Sequence, residues 1–179
     1  MPYTLQQLSD LEDIRVLKHR YFRAIDTADA ELFAPMFTDD IKVEYRGGDY
    51  LVRLTGREAM LEFLLNSFHS ETAGMHHGHM PEIEFVSEDE ATGIWYLEDI
   101  FIQLEWKTIT IGSAIYRDVY RRVDGMWKIA ETEYDRIMEV VEPLRPGMKL
   151  TAHYLAKHGR QQHERGDISH LITWTEKAA

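Results

Sequence analysis

The feature that most constrains the fold of this chain is a long stretch of strand-type patterning, which runs from about residue 69 to Val140. Apolar and polar residues alternate there in segments separated by turn-like residues, which is typical of strands. The clearest turn is Asp124-Gly125, a pair that favours a two-residue hairpin. We therefore expect an antiparallel meander of four long strands. The segments are MHHGHMPEIEFV, TGIWYLEDIFIQLE, KTITIGSAIYRDVYRRV and MWKIAETEYDRIMEV.

Helical patterning comes before the strands. Across residues 9–28 apolar side chains recur every three or four positions, which predicts an amphipathic helix. Ser9 and Glu12 have the spacing of a capping box at its start. A second amphipathic helix is expected after Thr55, where Thr55 and Glu58 offer the same signature.

A short helical piece near residues 30–37 and two strands, Ile41–Tyr45 and Tyr50–Leu54, lie between these helices, with Gly47-Gly48 as the turn between the strands. Helices gathered at the front of a run of consecutive strands predict the α+β class with a curved antiparallel sheet.

The length and composition fit one folded domain with a small appendage. The chain has 179 residues, of which 44% are hydrophobic, enough for a core. Pro143, Pro146 and Gly147 break the pattern of the last strand. We expect residues 1–142 to form the domain, and residues 143–179 to be a C-terminal extension on the barrel mouth or on a neighbouring subunit.

Charge and cysteine content exclude several classes of function. The net charge of -11 argues against nucleic-acid binding, and the basic stretch Arg117–Arg122 contains Asp118 and fits the exposed edge of a strand. The chain has no cysteine, so thiolate and Cys-ligated metal chemistry are excluded. Neither a signal peptide nor an apolar run of about 18 residues is visible, so we expect a cytoplasmic protein that does not bind membranes.

Asp99 stands out within the segment Ile94–Leu104, which is apolar on both faces and predicts a central strand. Asp99 shares a face with Trp95, Leu97 and Phe101, where a carboxylate is costly unless it is paired. A histidine partner would make it part of a proton-transfer site, and a structural hydrogen bond is the alternative.

Three histidines cluster at His76, His77 and His79. One imidazole could serve as an acid and base near neutral pH. A metal site is disfavoured, because no third ligand has a matching spacing. Strand alternation does not identify the important histidine, since Pro81 could shift the register.

Three more polar residues lie on predicted elements. Tyr21 is on the apolar face of the first helix, where it could belong to the core. Asp26 lies in the last turn of that helix, where an acid is disfavoured by the helix dipole. Arg136, on the last strand, could bind an anion or neutralise Asp26 or Asp99.

Together the motifs YFRAID, MHHGHMPEI, ATGIWYLED and ETEYDRI resemble the SnoaL-like branch of the nuclear-transport-factor-2-like superfamily. The likeness covers about Leu11–Met138 and is strongest to the members of that branch that dehydrate bile acids. It implies a cone-shaped curved antiparallel sheet, a cystatin-like α+β barrel, with N-terminal helices closing an apolar pocket. His77 departs from the family pattern, and the tail from Pro143 has no counterpart in it.

The resemblance also implies the site. The implied catalytic residues are Tyr21, Asp26, His76, Asp99 and Arg136, and the implied substrate-binding residues are His79, Trp95 and Tyr134. In this hypothesis His76, oriented by Asp99, moves the proton, and Tyr21 donates to the leaving hydroxyl or the enolate oxygen. Asp26 would orient Tyr21 or a histidine, and Arg136 would fix Asp26 or bind a substrate carboxylate.

The expected function is therefore that of a dehydratase without metal or other cofactor, acting on a steroid-like or other polycyclic ketone. We expect a homo-oligomer, a trimer or dimer. Two alternatives stay open. One is another cofactor-free lyase or isomerase acting on aromatic, lignin-derived compounds. The other is the non-catalytic small subunit of an aromatic-ring dioxygenase.

Overall fold

The computed structural model describes residues 3–175 of the chain. Residues 1–2 of the predicted domain and residues 176–179 of the predicted C-terminal extension lie outside the described part. Four helices and eight strands follow one another within it, together with short 3₁₀ turns. The elements are α1 (Leu5–Thr27), α2 (Ala30–Phe33), β1 (Phe37–Arg46), β2 (Tyr50–Thr55), α3 (Arg57–Ser67), β3 (Thr72–Gly78), β4 (Glu82–Phe85), β5 (Glu90–Gln103), β6 (Thr108–Val123), β7 (Met126–Pro143), α4 (Leu155–His158) and β8 (Ile172–Trp174).

Both predicted capping boxes are wrong, although both helices form. Helix α1 begins one turn earlier than expected, because the Thr4 hydroxyl accepts a hydrogen bond from the Gln7 backbone N–H and Gln7 Oε1 accepts one from the Thr4 backbone N–H. Helix α3 begins after Gly56, which has a φ of 96° and forms no side-chain cap. Thr55 ends strand β2, so it is not free to cap the helix.

The strands form one curved, unclosed sheet in the order β3-β5-β6-β7-β1-β2-β8, with β4 also paired to β5. All pairs are antiparallel except β1 with β7. The predicted α+β cone is confirmed. Asp124 and Gly125 both have positive φ, 52° and 77°, so the hairpin between β6 and β7 turns where the sequence predicts it.

The predicted first strand of the meander is in fact two strands. β3 ends at Gly78 and β4 begins at Glu82, and both pair with the long strand β5. Pro81 lies in the gap, where its missing N–H cannot join a ladder. His76 is on the half-buried side of β3, and His77 is exposed on the other side.

Helix α1 lies against the inner face of the sheet, where it contacts β3 and β7. Its apolar stripe is buried there among aromatic side chains of the strands. The largest wholly buried apolar side chains include Trp95, Tyr21, Tyr120, Phe33 and Phe37. Side chains of α1 and of the sheet therefore meet in one aromatic interior.

The C-terminal tail lies against the same domain. Asn66, at the end of α3, accepts hydrogen bonds from the Arg160 guanidinium at 2.9 Å and from the Gly166 backbone at 2.8 Å. β8 then adds an antiparallel strand to the edge at β2. In the described part of the chain, no helix is long and apolar enough to cross a bilayer.

Candidate active site

His76 and Asp26 form the hydrogen-bonded pair at the centre of the candidate site. His76 Nδ1 lies 2.7 Å from Asp26 Oδ1, and the backbone N–H of His76 donates to Asp26 Oδ2 at 3.1 Å. Asp26 is in the last turn of α1 and His76 is in the middle of β3, so the pair also joins helix to sheet. A carboxylate at Nδ1 directs the tautomer of the ring and leaves Nε2 to accept or donate a proton.

Two phenylalanine rings enclose the imidazole. Phe22 lies parallel to His76 with 6.5 Å between ring centroids, and Phe68 meets it edge-on at 5.6 Å. The His76 side chain is 8% exposed, and among residues 3–175 no group hydrogen-bonds to its Nε2. The imidazole is thus held through Nδ1, whereas Nε2 is left without a hydrogen-bond partner among the described residues. Apolar rings surround it.

Gly78 makes room for this arrangement. A Cβ atom added at Gly78 would lie 2.3 Å from Cε2 of Phe22, far inside van der Waals contact. Only glycine at this position lets Phe22 lie where it flanks His76.

The predicted pairing of His76 with Asp99 is wrong. The two residues are directly opposite each other on β3 and β5, but the Asp99 carboxylate binds the Arg136 guanidinium through both oxygens. The Nη2–Oδ2 distance is 2.8 Å. A planar guanidinium offers two parallel N–H groups, which match a carboxylate better than a single ring nitrogen does. Asp26 takes the place at the histidine that we expected Asp99 to fill.

Arg136 has a second acidic neighbour, Glu139. Its Nε lies 2.9 Å from Glu139 Oε2, and Glu139 Oε1 accepts the Gly48 backbone N–H at 3.1 Å. A Cβ atom at Gly112 would lie 2.7 Å from Arg136 Nη1, so glycine is needed there also. Arg136 neutralises Asp99, not Asp26; its two terminal nitrogens donate to Asp99, whereas Nε has an ion-pair contact with Glu139 but no hydrogen bond.

Tyr21 lies in the interior with its hydroxyl 2.8 Å from that of Tyr45. Both side chains are buried, and the Tyr21 ring contacts Phe22, Phe37 and Tyr116. Burial, together with the neighbouring tyrosines, raises the pKa of Tyr21 well above its ordinary value. Tyr21 therefore keeps its proton at neutral pH and can act as a hydrogen-bond donor.

The predicted substrate-binding residues divide between the inside and the outside of the sheet. Tyr134 is inside, stacked on Tyr45 at 4.6 Å and hydrogen-bonded to Tyr50. Trp95 is wholly buried, and its Nε1 donates to the Tyr120 hydroxyl at 2.8 Å. His79 lies apart from these two, with its side chain 54% exposed and 3.6 Å from Glu98, so its role in substrate binding stays a prediction.

A buried ion pair, Lys18 with Asp118, was missed by the sequence analysis. Lys18 Nζ lies 2.7 Å from Asp118 Oδ2, and neither side chain is exposed. The interpretation of Arg117–Arg122 as an exposed strand edge is wrong, since β6 lies between β5 and β7. Asp118 points inward, where the hydroxyls of Tyr120 and Thr132 each donate to it at 2.7 Å.

A shallow groove of about 620 Å³ on the outer face is a poorer candidate for a site. Ion-paired side chains such as Lys42, Glu44 and Arg117 line it, and the His76–Asp26 pair is on the other side of the sheet. Within residues 3–175, no three His, Asp or Glu side chains are placed to hold a metal ion together.

Comparison with known proteins agrees with this architecture. A family model described as a SnoaL-like domain matches residues 6–133, which ends before the tail begins. The solved structure of LinA is similar at 22% identity with a TM-score of 0.70, covering 83% of this chain and 97% of that one.

Two further structures are similar over most of their length. Hexachlorocyclohexane dehydrochlorinase LinA-type3 from Novosphingobium barchaimii has 23% identity and a TM-score of 0.69, covering 83% of this chain and 98% of that one. A candidate scytalone dehydratase from Novosphingobium aromaticivorans has 25% identity and a TM-score of 0.68, covering 80% and 97%.

Proposed function

Because this chain belongs to the SnoaL-like family, we propose that it is a cofactor-independent lyase that expels a leaving group by proton transfer through His76. The observation that carries the proposal is that the Asp26 carboxylate accepts two hydrogen bonds from His76, one from ring Nδ1 and one from the backbone N–H. That geometry presents Nε2 as the reacting nitrogen. A general base held in this way contributes ~10²–10⁴-fold to the rate of proton transfer.

The reaction we propose is elimination of water from a hydroxyl placed β or vinylogous to a ketone. Nε2 of His76 takes the acidic C–H proton, and the electron pair moves through the conjugated system onto the ketone oxygen. The enolate then collapses, a new C=C bond forms and the C–O bond breaks. The imidazolium of His76 gives its proton to the departing hydroxyl, which leaves as water. Asp26 stabilises the imidazolium between the two steps.

Tyr21 supplies the second part of the chemistry. Its hydroxyl is protonated, since burial raises the pKa of Tyr21. We assign it the hydrogen bond to the developing enolate oxygen, a role in which a fixed donor acts most strongly away from water. Tyr45, 2.8 Å away, holds the Tyr21 hydroxyl in place.

We assign Asp99 and Arg136 a structural role at the site and no part in the proton transfer. Nη1 and Nη2 of Arg136 both donate to Asp99, and Nε lies beside Glu139, so protein carboxylates already neutralise the guanidinium. The pair instead links β5 to β7 across β6, and β5 is the strand that pairs with β3. We therefore move Arg136 from substrate binding to support.

The substrate class we propose is a hydroxylated polycyclic ketone of steroid or bile-acid type. The aromatic cluster around the His76–Asp26 pair supports this, because Tyr45, Tyr116, Tyr134, Phe22 and Phe68 are broad apolar side chains, three of which carry a hydroxyl group. The names of the similar structures, a dehydrochlorinase and a candidate scytalone dehydratase, are names of enzymes that eliminate a small molecule, and they support the reaction type.

A direct test is incubation with a 7α-hydroxy-3-oxo-4-ene steroid, as free acid and as thioester, while following the absorbance of the conjugated dienone. We expect the absorbance to rise with time. The same ring system with a 3-hydroxyl in place of the ketone should not react, because its C–H is not acidified. A flat absorbance with both forms of the ketone would refute the steroid assignment.

A further inference from the structure

The ion pair between Lys18 and Asp118 has no part in the elimination described above, although it lies in the same interior. The pair joins α1 to β6, and both side chains are wholly buried. Ions in such surroundings are costly unless every group finds a partner. The Asp118 carboxylate accepts hydrogen bonds from Tyr120 and Thr132, and it is the anionic partner of Lys18, whose Nζ forms no other polar contact among the described residues.

The ammonium group of Lys18 lies over the ring of Tyr21, a residue of the proposed site. Lys18 precedes Tyr21 by three residues and Phe22 by four, so the three side chains share one face of α1. Its Nζ lies 4.7 Å from the centre of the Tyr21 ring and 3.7 Å from that of Tyr116. Contacts of this kind between a cation and a ring face are attractive, most of all away from water.

We propose that Lys18, held by Asp118, is a positioning residue that fixes the Tyr21 ring and strengthens the hydrogen bond donated by its hydroxyl. As Tyr21 donates toward an enolate oxygen, negative charge grows on the phenol. A cation at the ring face stabilises that charge. This inference rests on the proposed function, in which Tyr21 donates to the enolate.

A purely structural role for the pair is the competing explanation, and the chain contains a matched control for it. Asp10 and Arg122 also join α1 to β6, with 2.8 Å between Oδ1 and Nη2. That pair contacts Trp127 instead of Tyr21. Loss of either ion pair weakens the attachment of α1 to β6, but only loss of Lys18 removes the cation from the Tyr21 ring.

The experiment compares the double variant Lys18→Met/Asp118→Asn with Arg122→Met/Asp10→Asn. Each replaces an ion pair by neutral side chains of similar size, which avoids leaving a single buried charge. If the first does not fold, Lys18→Gln/Asp118→Asn keeps a polar contact at the same place. Folding is checked by thermal unfolding before activity is measured.

Two measurements are made on each variant. The first is kcat and KM for the elimination. The second is the ¹⁹F resonance of Tyr21 in protein labelled with 3-fluorotyrosine, which reports on the ring without any turnover. The chain has nine tyrosines, so Tyr21→Phe is needed to assign the resonance.

We expect loss of the Lys18 pair to lower kcat about tenfold or more with KM changed less than about twofold, because misplacement of a reacting group acts on the transition state. The Tyr21 resonance should move as well, and the control pair should produce neither effect. The proposal is overturned if kcat and the resonance both stay unchanged, or if the control pair gives the same loss.

The two proposals can fail separately. If the wild-type protein eliminates nothing, the proposed function is wrong, and the resonance alone then decides the positioning role. An unmoved Tyr21 resonance in the Lys18 variant overturns it, and a shift that the control pair does not share supports it.

Discussion

The carboxylate of Asp26 holds His76 at two points, the ring nitrogen Nδ1 at 2.7 Å and the backbone N–H at 3.1 Å. Each carboxylate oxygen binds one of these groups. The carboxylate therefore fixes both the position of the β3 backbone relative to α1 and the rotation of the imidazole ring. An amide in this position could accept only one of the two hydrogen bonds. Replacement of Asp26 is therefore expected to disturb the histidine more than it disturbs the fold.

Asp26→Asn should lower kcat by about 10²–10⁴-fold, because the amide no longer directs the tautomer or stabilises the imidazolium. Steady-state elimination rates and thermal unfolding of the same sample check this. Asp13→Asn, an exposed carboxylate on the same helix, serves as the control and should behave as wild type. Equal activity of the two variants would contradict the role of Asp26.

Arg136→Met should destabilise the protein by about 3–5 kcal/mol, because Asp99 is left as a buried charge without a partner. Asp99 is 2% exposed. Adding Asp99→Asn to the same chain should restore a large part of the loss. Denaturant unfolding of the single and double variants measures both effects.

Arg46 offers a control for that prediction. It also binds carboxylates, those of Glu44, Glu133 and Asp135, but its side chain is one-third exposed. Exposed pairs contribute little, so Arg46→Met should cost about 1 kcal/mol or less. A similar cost for the two arginine variants would show that burial of the Asp99 pair is unimportant.

Gly78→Ala should destabilise the protein by about 1–3 kcal/mol and reduce activity, because the new methyl group displaces Phe22 from its place beside His76. The Cβ atom would come within 2.3 Å of the ring. Gly166→Ala is the control, since its nearest neighbours would lie at 3.6 Å or more. Unfolding and turnover measured together distinguish a displaced ring from a tolerated methyl group.

The tail should become less stable in acid through His69. Burial, with the nearby Arg165 cation, lowers the pKa of His69 from 6.5 to about 4. The unfolded chain therefore binds the proton more readily than the folded one between these two values. The stabilising effect of neutral His69 is present above pH 6.5 and is lost as the pH falls toward 4.

Limited proteolysis of the tail and unfolding at several pH values test this expectation. Wild type should lose stability relative to His69→Gln across that range, since glutamine does not titrate there. Parallel pH profiles for the two proteins would contradict it. The Arg165–Glu105 contact at 2.7 Å on the same surface stays ionised throughout most of the range, so it does not produce the difference.

Local patterns in the sequence predicted most of the helices and strands. They did not predict which residues pair with the buried charged side chains. The apolar surroundings of Asp99 within β5 identified it as buried, which is correct. Its partner could not be found in the same way, because His76 lies opposite it on the adjacent strand β3 and Arg136 reaches it from β7, across β6. Whether Asp99 pairs with the imidazole of His76 or the guanidinium of Arg136 depends on the direction of the side chains. The alternation of residues along a strand does not specify that direction.

Lys18 and Asp118 were missed for a related reason. A lysine on a helix and an aspartate among arginines have the local pattern of exposed residues, and their partners are 100 positions apart. Only the packing of α1 onto β6 brings them together. The expected homo-oligomer stays a prediction, as does the polycyclic substrate.

The most direct test of proton transfer by His76 is the rate of elimination after His76→Gln, compared with His77→Gln. His77 is the exposed neighbour on the same strand, so both variants remove one imidazole from β3. If His76 moves the proton, His76→Gln loses at least about 10²-fold in kcat, while His77→Gln retains wild-type turnover and both remain folded. Full activity of a folded His76→Gln protein would contradict the central claim.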